Sequence, residues 1–289
     1  MSDAKQADGL SPTPYSPSPR PTFDVPTRIG RDTVTRHLWG DEEAGVVSDL
    51  IYASTSSIHA LVFGLPAGGS FTHSPEYRTV FAADELLHVL TGTMVLANPE
   101  SGEVQKVPAG RSVFFRKDTW HHAFAHGGKP LRVLEIFAPP PAAGTSGEYA
   151  RTRPYLDRSW YADDSRLGDV PSAAPATPIP RLLGENDVVW RRDLGALVGL
   201  LISTEHLTVH SLEVNPGETA RAHAHGGDEL LFVISGTLWV RAWHRDHTYV
   251  FELGPEDACL IPQGAQHEYR NYGAETATAL VGVAPSYLP

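Results

Sequence analysis

One nine-residue phrase occurs twice in this chain. Glu85-Leu86-Leu87-His88-Val89-Leu90-Thr91-Gly92-Thr93 returns as Glu229-Leu230-Leu231-Phe232-Val233-Ile234-Ser235-Gly236-Thr237, with six of nine positions identical. Each copy follows a turn built on proline and glycine, Leu65-Pro66-Ala67-Gly68 in the first and Asn215-Pro216-Gly217 in the second. Each is followed further along by a histidine, His121 or His267. Three landmarks in the same order point to a tandem duplication, so the fold must be two copies of one unit.

The unit is made of strands. Short apolar runs, such as Ile58–Leu65, Glu85–Leu90, Ser112–Phe115 and Leu131–Phe137, alternate with Gly, Pro, Asn and Asp. Runs of that length, rich in Val, Leu and Phe, read as strands. A second series fills 186–285, and few helical periods interrupt either. The expected class is all-β, with two tandem sandwiches or barrels. Four segments follow. A Pro/Ser-rich arm, expected to be disordered or polyproline-like, covers 1–30, where Pro12, Pro14, Pro17, Pro19 and Pro21 exclude helix and interior strand. The first unit covers 31–140. A connector covers 141–182, following Ala138-Pro139-Pro140 and holding a short helix around Tyr155–Arg166. The second unit covers 183–289.

Composition narrows the function. The formal charge of -11 repels phosphate backbones, which argues against a nucleic-acid partner. No apolar run reaches the roughly 18 residues of a membrane-spanning helix. A single cysteine, Cys259, excludes an internal disulfide, and its run Ala258-Cys259-Leu260-Ile261 reads as core. The expectation is a cytoplasmic protein, monomer or homodimer, acting on a small molecule. No phosphate-binding glycine loop and no G-x-S-x-G elbow occurs. The unusual count is histidine, at 14.

The second copy carries those histidines in a pattern. After Gly217 come His223-Ala224-His225, then Glu229 and Gly236; later come Pro262-x-Gly264-x-x-His267 and Asn271. Residues two apart on a strand share a face, so His223 and His225 project together. Glu229 opens the next strand after Gly226-Gly227, and His267 follows a Pro-x-Gly turn. A His-x-His pair alone is often only a surface pair. Three imidazoles and a carboxylate facing inward can instead hold one divalent ion, and Fe(II), Mn(II), Ni(II), Co(II) and Zn(II) all suit that donor set. Alternation also nominates neighbours. Arg221 shares the parity of His223, as a clamp for a substrate anion or as a salt bridge at the barrel mouth. Tyr269 and Asn271 share that of His267, and Tyr269 is a hydrogen-bond donor to substrate or a core residue. Leu231 and Val233 share that of Glu229. Trp239, Arg241 and Trp243 share one face that parity does not identify.

This pattern resembles the cupin superfamily, whose motifs are G-x5-H-x-H-x(3,4)-E-x6-G and G-x5-P-x-G-x2-H-x3-N. The first is matched in full. The second departs only at its opening glycine, where Glu256 stands. The resemblance implies a bicupin of two double-stranded β-helix (jelly-roll) barrels, with His223, His225, Glu229 and His267 as metal ligands. The first barrel is degenerate: Pro75 stands at the second histidine position, Arg116 and Asp118 replace the motif Pro and Gly, and a longer loop spans Pro75–Asp84. His73, Glu85 and His121 remain as a possible second ion site, against a barrel that has lost its metal and serves packing. His122 is expected on the outer surface, and the long loop is a candidate lid.

Bicupins with this ligand set resemble quercetinase-like dioxygenases. The resemblance implies a non-haem Fe(II) oxygenase using O2 on an electron-rich cyclic substrate, with Glu229, Tyr269 and Arg221 assisting. The alternatives are a Mn, Zn or Ni isomerase, decarboxylase or lyase using the same residues, and a non-catalytic ligand-binding bicupin. A full ligand set argues against a storage role.

Overall fold

The computed structural model describes residues 18–140, 147–157 and 180–289. Each half forms a seven-stranded sheet facing a four-stranded one, and strand order is the same in both halves. In the first half the large sheet includes β3 (Gly45–Ser54), β4 (His59–Leu65), β6 (Asp84–Thr91), β9 (Ser112–Phe115) and β11 (Leu131–Ala138). Its small sheet holds β5 (Ser70–Phe71), β7 (Thr93–Ala97), β8 (Val104–Pro108) and β10 (His122–Ala125). The repeated phrase is β6 and the start of β7, and its counterparts are β17 (Asp228–Ser235) and β18 (Leu238–His244). These are the jelly-roll sandwiches expected of the duplication.

Alternation along the strands sorts side chains into three cores. Leu87, Val89, Leu61, Phe63 and Phe137 fill the first barrel. Leu231, Val233, Cys259 and Val281 fill the second. The opposite faces of the two large sheets pack on each other through Tyr52, Ile58, Leu86, Leu134, Leu230 and Phe232. Burial of one apolar face in each barrel and the other between barrels makes the halves one hydrophobic body.

The barrels also exchange strands, which shifts two expected boundaries. Within the 1–30 arm, β1 (Thr27–Ile29) pairs antiparallel with β20 (Ala258–Ile261) of the second barrel. The end of the 141–182 connector runs into β12 (Arg181–Leu183), which pairs with β9 of the first. Each three-residue strand covers an open sheet edge, the position where an edge invites unwanted pairing. Proline confines the arm to such an edge and does not exclude it from a sheet. The connector's helix α1 (Gly147–Thr152) starts earlier than the expected Tyr155–Arg166; residues 158–166 of that expectation lie outside the described residues. No described helix is long and apolar enough to cross a membrane.

Glu256 explains its own departure from the motif. It has φ 67°, a left-handed conformation that glycine adopts without strain, and Gly110 takes φ 81° at the same place in the first barrel. Its carboxylate accepts from both terminal nitrogens of Arg132, Nη2 at 2.7 Å, and from Arg31 Nε at 2.9 Å, while its carbonyl accepts from Tyr52 Oη at 2.8 Å. The strained residue clasps one barrel to the other. Glu256→Ala is expected to lower unfolding free energy by roughly 2–4 kcal/mol, losing the clasp while keeping the strain. Glu256→Gly should recover about 1 kcal/mol of that. Urea unfolding of the pair checks both; a glycine variant more stable than the parent would show strain outweighing the clasp.

Candidate metal centre

Three segments of the second barrel bring the quartet together. His223 ends β16 (Thr219–His223) and lies opposite His267 of β21 (Gln266–Arg270) in strand register. Glu229 is the second residue of β17, paired with Ile261 and Val283. The turn from His225 to Glu229 needs its glycines: a Cβ on Gly227 would stand 2.2 Å from the Ala284 carbonyl oxygen. Asp228 braces this turn, accepting from the Gln263 amide at 3.0 Å and from Thr55 of the first barrel at 2.7 Å.

The four potential ligand atoms lie within 4.8 Å of one another. Every imidazole is aimed the same way. His223 Nδ1 donates to the Arg221 carbonyl at 2.9 Å, His225 Nδ1 to that of Tyr287 at 2.6 Å, and His267 Nδ1 to that of Ala265 at 3.0 Å. A carbonyl can only accept, so each Nδ1 carries a proton and each ring turns its Nε2 to the centre. Glu229 Oε2 is 3.0 Å from His225 Nε2 and 3.2 Å from His267 Nε2. None of these three buried atoms makes a hydrogen bond. Buried polar atoms are normally satisfied, so lone pairs left converging on one point fit a cation.

Glu229 dominates the electrostatics: burial lowers His225, but the facing carboxylate outweighs it and holds that ring above its ordinary value. Burial drives the Glu229 carboxyl up, but the facing imidazoles of His267 and His225 outweigh it and hold it well below the usual range. Burial, then His267, pushes His223 down to about 4, which keeps it neutral. Tyr269 is 2% exposed and donates its hydroxyl to Glu229 Oε1, leaving Oε2 for the centre. Burial, then the Glu229 charge, raises that phenol well above its ordinary value, so it stays protonated.

Arg221 is not brought to this group. A register shift between Ala220 and His223 inserts one residue, and both Ala220 and His223 oppose inward-facing partners. The bulge breaks the alternation that grouped Arg221 with His223, and its side chain is exposed. The arginine set against the wall is Arg191, 6.0 Å over the Tyr287 ring and paired with Asp193 at 3.2 Å. Sequence reasoning missed Tyr287, whose ring lies 4.4 Å from His225, and His210, buried against that same tyrosine. His210 follows from alternation with Leu212 and Val214 on β15 (Thr208–Val214); Tyr287, beyond the last strand, has no such signal. A small cavity of about 10 Å³ lies beside the quartet, lined by Asp193, His210, Tyr269 and Tyr287 among others. Asn271 is fully buried and ties the loop, donating to the carbonyls of Val214 and Glu275. Leu231 and Val233 lie in the barrel core with Cys259. Trp239, Arg241 and Trp243 take the outer face, since Leu238, Val240 and Ala242 point inward.

The first barrel differs from its expected trio. Glu85 and His121 meet, but the third group is Glu135, not His73. His73 turns outward, contacting His122 Nδ1-to-Nε2 and the Leu156 carbonyl, with Trp120 against its ring. His122 is correspondingly 1% exposed, because the connector covers the outer face on which it was expected to be solvated. Tyr77 and Phe81 of the long loop pack into the barrel, while Val80 packs outside it against Trp120 and Ala150 of the connector. Asp118 takes φ 67° where Gly264 takes 75°, which aspartate tolerates better than most residues.

The Cupin domain family matches the chain twice, over residues 65–137 and 210–283. No curated protein sequence matches it. Among solved structures, a variant of Bacillus subtilis oxalate decarboxylase superimposes with a TM-score of 0.65 at 14% identity, covering 93% of this chain and 80% of that one. Lactobacillus farciminis oxalate decarboxylase, in a formate complex, gives 0.63 at 16%, covering 94% and 88%. AerE from Microcystis aeruginosa gives 0.56 at 9%, covering 90% and 97%.

Proposed function

The chain belongs to the cupin family, with two cupin domains in one polypeptide, and from that premise we propose that its second barrel is a divalent-metal-dependent active site for a small carboxylic acid, working as a decarboxylase or related lyase. The observation that carries this reading is the convergence of three imidazoles and one carboxylate within 4.8 Å, with the Nε2 atoms of His225 and His267 and Glu229 Oε2 buried and without hydrogen-bond partners. Fold-level likeness to oxalate decarboxylases, whose Bacillus subtilis member has Mn(II) centres, supports the non-oxidative choice as analogy. Mn(II) is accordingly preferred to Fe(II), Ni(II) or Zn(II).

His223, His225, Glu229 and His267 would hold the ion, which when bound supplies a Lewis acid for a substrate carboxylate. The protein's own groups do the rest. Leu194, Val198 and Leu212 line the cavity beside the quartet and limit water. Arg191 at the Tyr287 edge attracts the substrate anion. Tyr269 fixes the Glu229 carboxylate and is a positioning residue. Tyr269→Phe is expected to keep bound metal and KM while kcat falls about 10- to 100-fold, a range typical of lost supporting hydrogen bonds. Steady-state kinetics beside elemental analysis reads both; an unchanged kcat would remove Tyr269 from the mechanism.

The test of the whole reading is a panel of small mono- and dicarboxylic acids, phenols and β-diketones given to Mn(II)- and Fe(II)-loaded protein, with CO2 release and O2 uptake measured together. Release of CO2 without matching O2 uptake is the expected result. Stoichiometric O2 uptake on a phenol or β-diketone would instead establish the Fe(II) oxygenase, which uses the same four residues.

A further inference from the structure

The larger cavity is in the other barrel. The interior of the first holds a cavity of about 90 Å³, against about 10 Å³ beside the quartet. Its wall includes Trp39, Phe63, Phe71, Phe81 and Phe137. The duplication explains the room. Ala123 pairs with Leu96 where Tyr269 pairs with Val240, so a methyl replaces a buried phenol.

The same register shows what was added. Glu85 pairs with Phe137 as Glu229 pairs with Val283, which sets Glu135 at the place of Val281. The bulge after Ile51 matches the one after Leu200, which sets Asp49 at the place of Val198. Two carboxyls therefore stand in the first barrel where the second has valines. Both line the cavity. Asp49 is 6% exposed. Glu135 hydrogen-bonds Glu85, whose Oε2 is buried without a partner, 3.9 Å from His121 Nε2. Burial, aided at Glu135 by Asp49, pushes both added carboxyls up to about 8. Packing alone would favour the valines, because desolvating a carboxyl destabilises a fold.

We propose that the first barrel is a separate binding site for a small organic cation, an ammonium group on a compact apolar or aromatic body. Its N–H donors reach Glu135 and Asp49, and its body lies against the aromatic wall, where ring faces favour a cation. A bare divalent ion is the rival occupant, since Glu85, His121 and Glu135 offer three ligand atoms within 4.8 Å. That ion uses neither Asp49 nor the aromatic wall, and its remaining waters would face carbon. The organic cation uses both added carboxyls and the aromatic wall. The inference is independent of the reaction assigned to the second barrel.

Phenethylamine and its neutral analogue ethylbenzene are the probes, titrated into the full chain by calorimetry and ligand-observed NMR. Phenethylamine is expected to bind at about one per chain and at least tenfold more tightly than ethylbenzene. Asp49→Val/Glu135→Val, which copies the second barrel, should weaken phenethylamine at least tenfold and leave ethylbenzene bound as well or better. The single changes Asp49→Asn and Glu135→Gln, closer in shape, should each weaken it in the same direction. No phenethylamine binding at millimolar concentration, equal affinity for both probes, or undiminished binding to the double variant overturns the proposal. Displacement of phenethylamine by Mn(II), with a second equivalent of Mn(II) lost in Glu135→Gln, overturns it in favour of a metal.

Discussion

Replacing His267 by alanine is expected to take bound divalent metal from about one equivalent per chain to less than a tenth. His267 is 1% exposed, its Nδ1 is committed to a backbone carbonyl, and its Nε2 is 3.2 Å from Glu229 Oε2. Removing even a supporting partner of a metal ligand commonly weakens binding 10- to 100-fold, and removing a ligand costs more. The fold should survive, because the strand pairings of β21 use backbone atoms that alanine retains. His121→Ala, the matching change in the first barrel, should leave the metal content unaltered. Elemental analysis after dialysis, with circular dichroism to verify folding, reads both variants. A full equivalent retained by His267→Ala would sink the ligand assignment.

What the sequence disclosed and what it hid follow from one physical difference. The quartet was legible because its members occupy strands and tight turns whose geometry fixes side-chain direction over two or three residues. Arg221 was misplaced by the same rule, since one inserted residue between Ala220 and His223 reverses parity and nothing in the local sequence announces it. Glu135 was overlooked because a lone acid inside Leu131–Phe137 looks like a solvent-facing position; only the pairing of β11 with β4 and β6 shows it turned inward. His122 was read as exposed because the covering connector is too remote in sequence for local pattern to foresee. The Pro/Ser composition of 1–30 was correct as composition, yet three residues of strand are too few to leave a periodic signal.

Those three residues support the second large expectation. A chain lacking residues 1–30 should melt about 10 °C lower than the parent, or fail to accumulate as soluble protein. The deletion removes Ile29, 6% exposed in the core between barrels, and the pairing of Thr27, Arg28 and Ile29 with Leu260, Cys259 and Ala258. It also removes the Arg28–Asp257 ion pair at 2.8 Å, though that pair is partly exposed and contributes little. Loss of one buried isoleucine and a strand edge is on the order of 3–5 kcal/mol, and a chain of this size shifts by roughly 2–4 °C for each kcal/mol. The consequence reaches the metal centre. β20 carries Ile261, the register partner of Glu229, so an open edge there loosens the strand that holds the only carboxylate of the quartet. Metal affinity should therefore fall with the melting temperature. Ile29→Ala, a milder change, should lower the midpoint by less and still show a single transition, since the core between barrels couples both halves. A deletion variant that melts at the parental temperature with its metal intact would show that the second barrel closes without the borrowed strand. Two separate transitions in the parent would show that the barrels, despite their shared core and the Glu256 clasp, unfold as independent units.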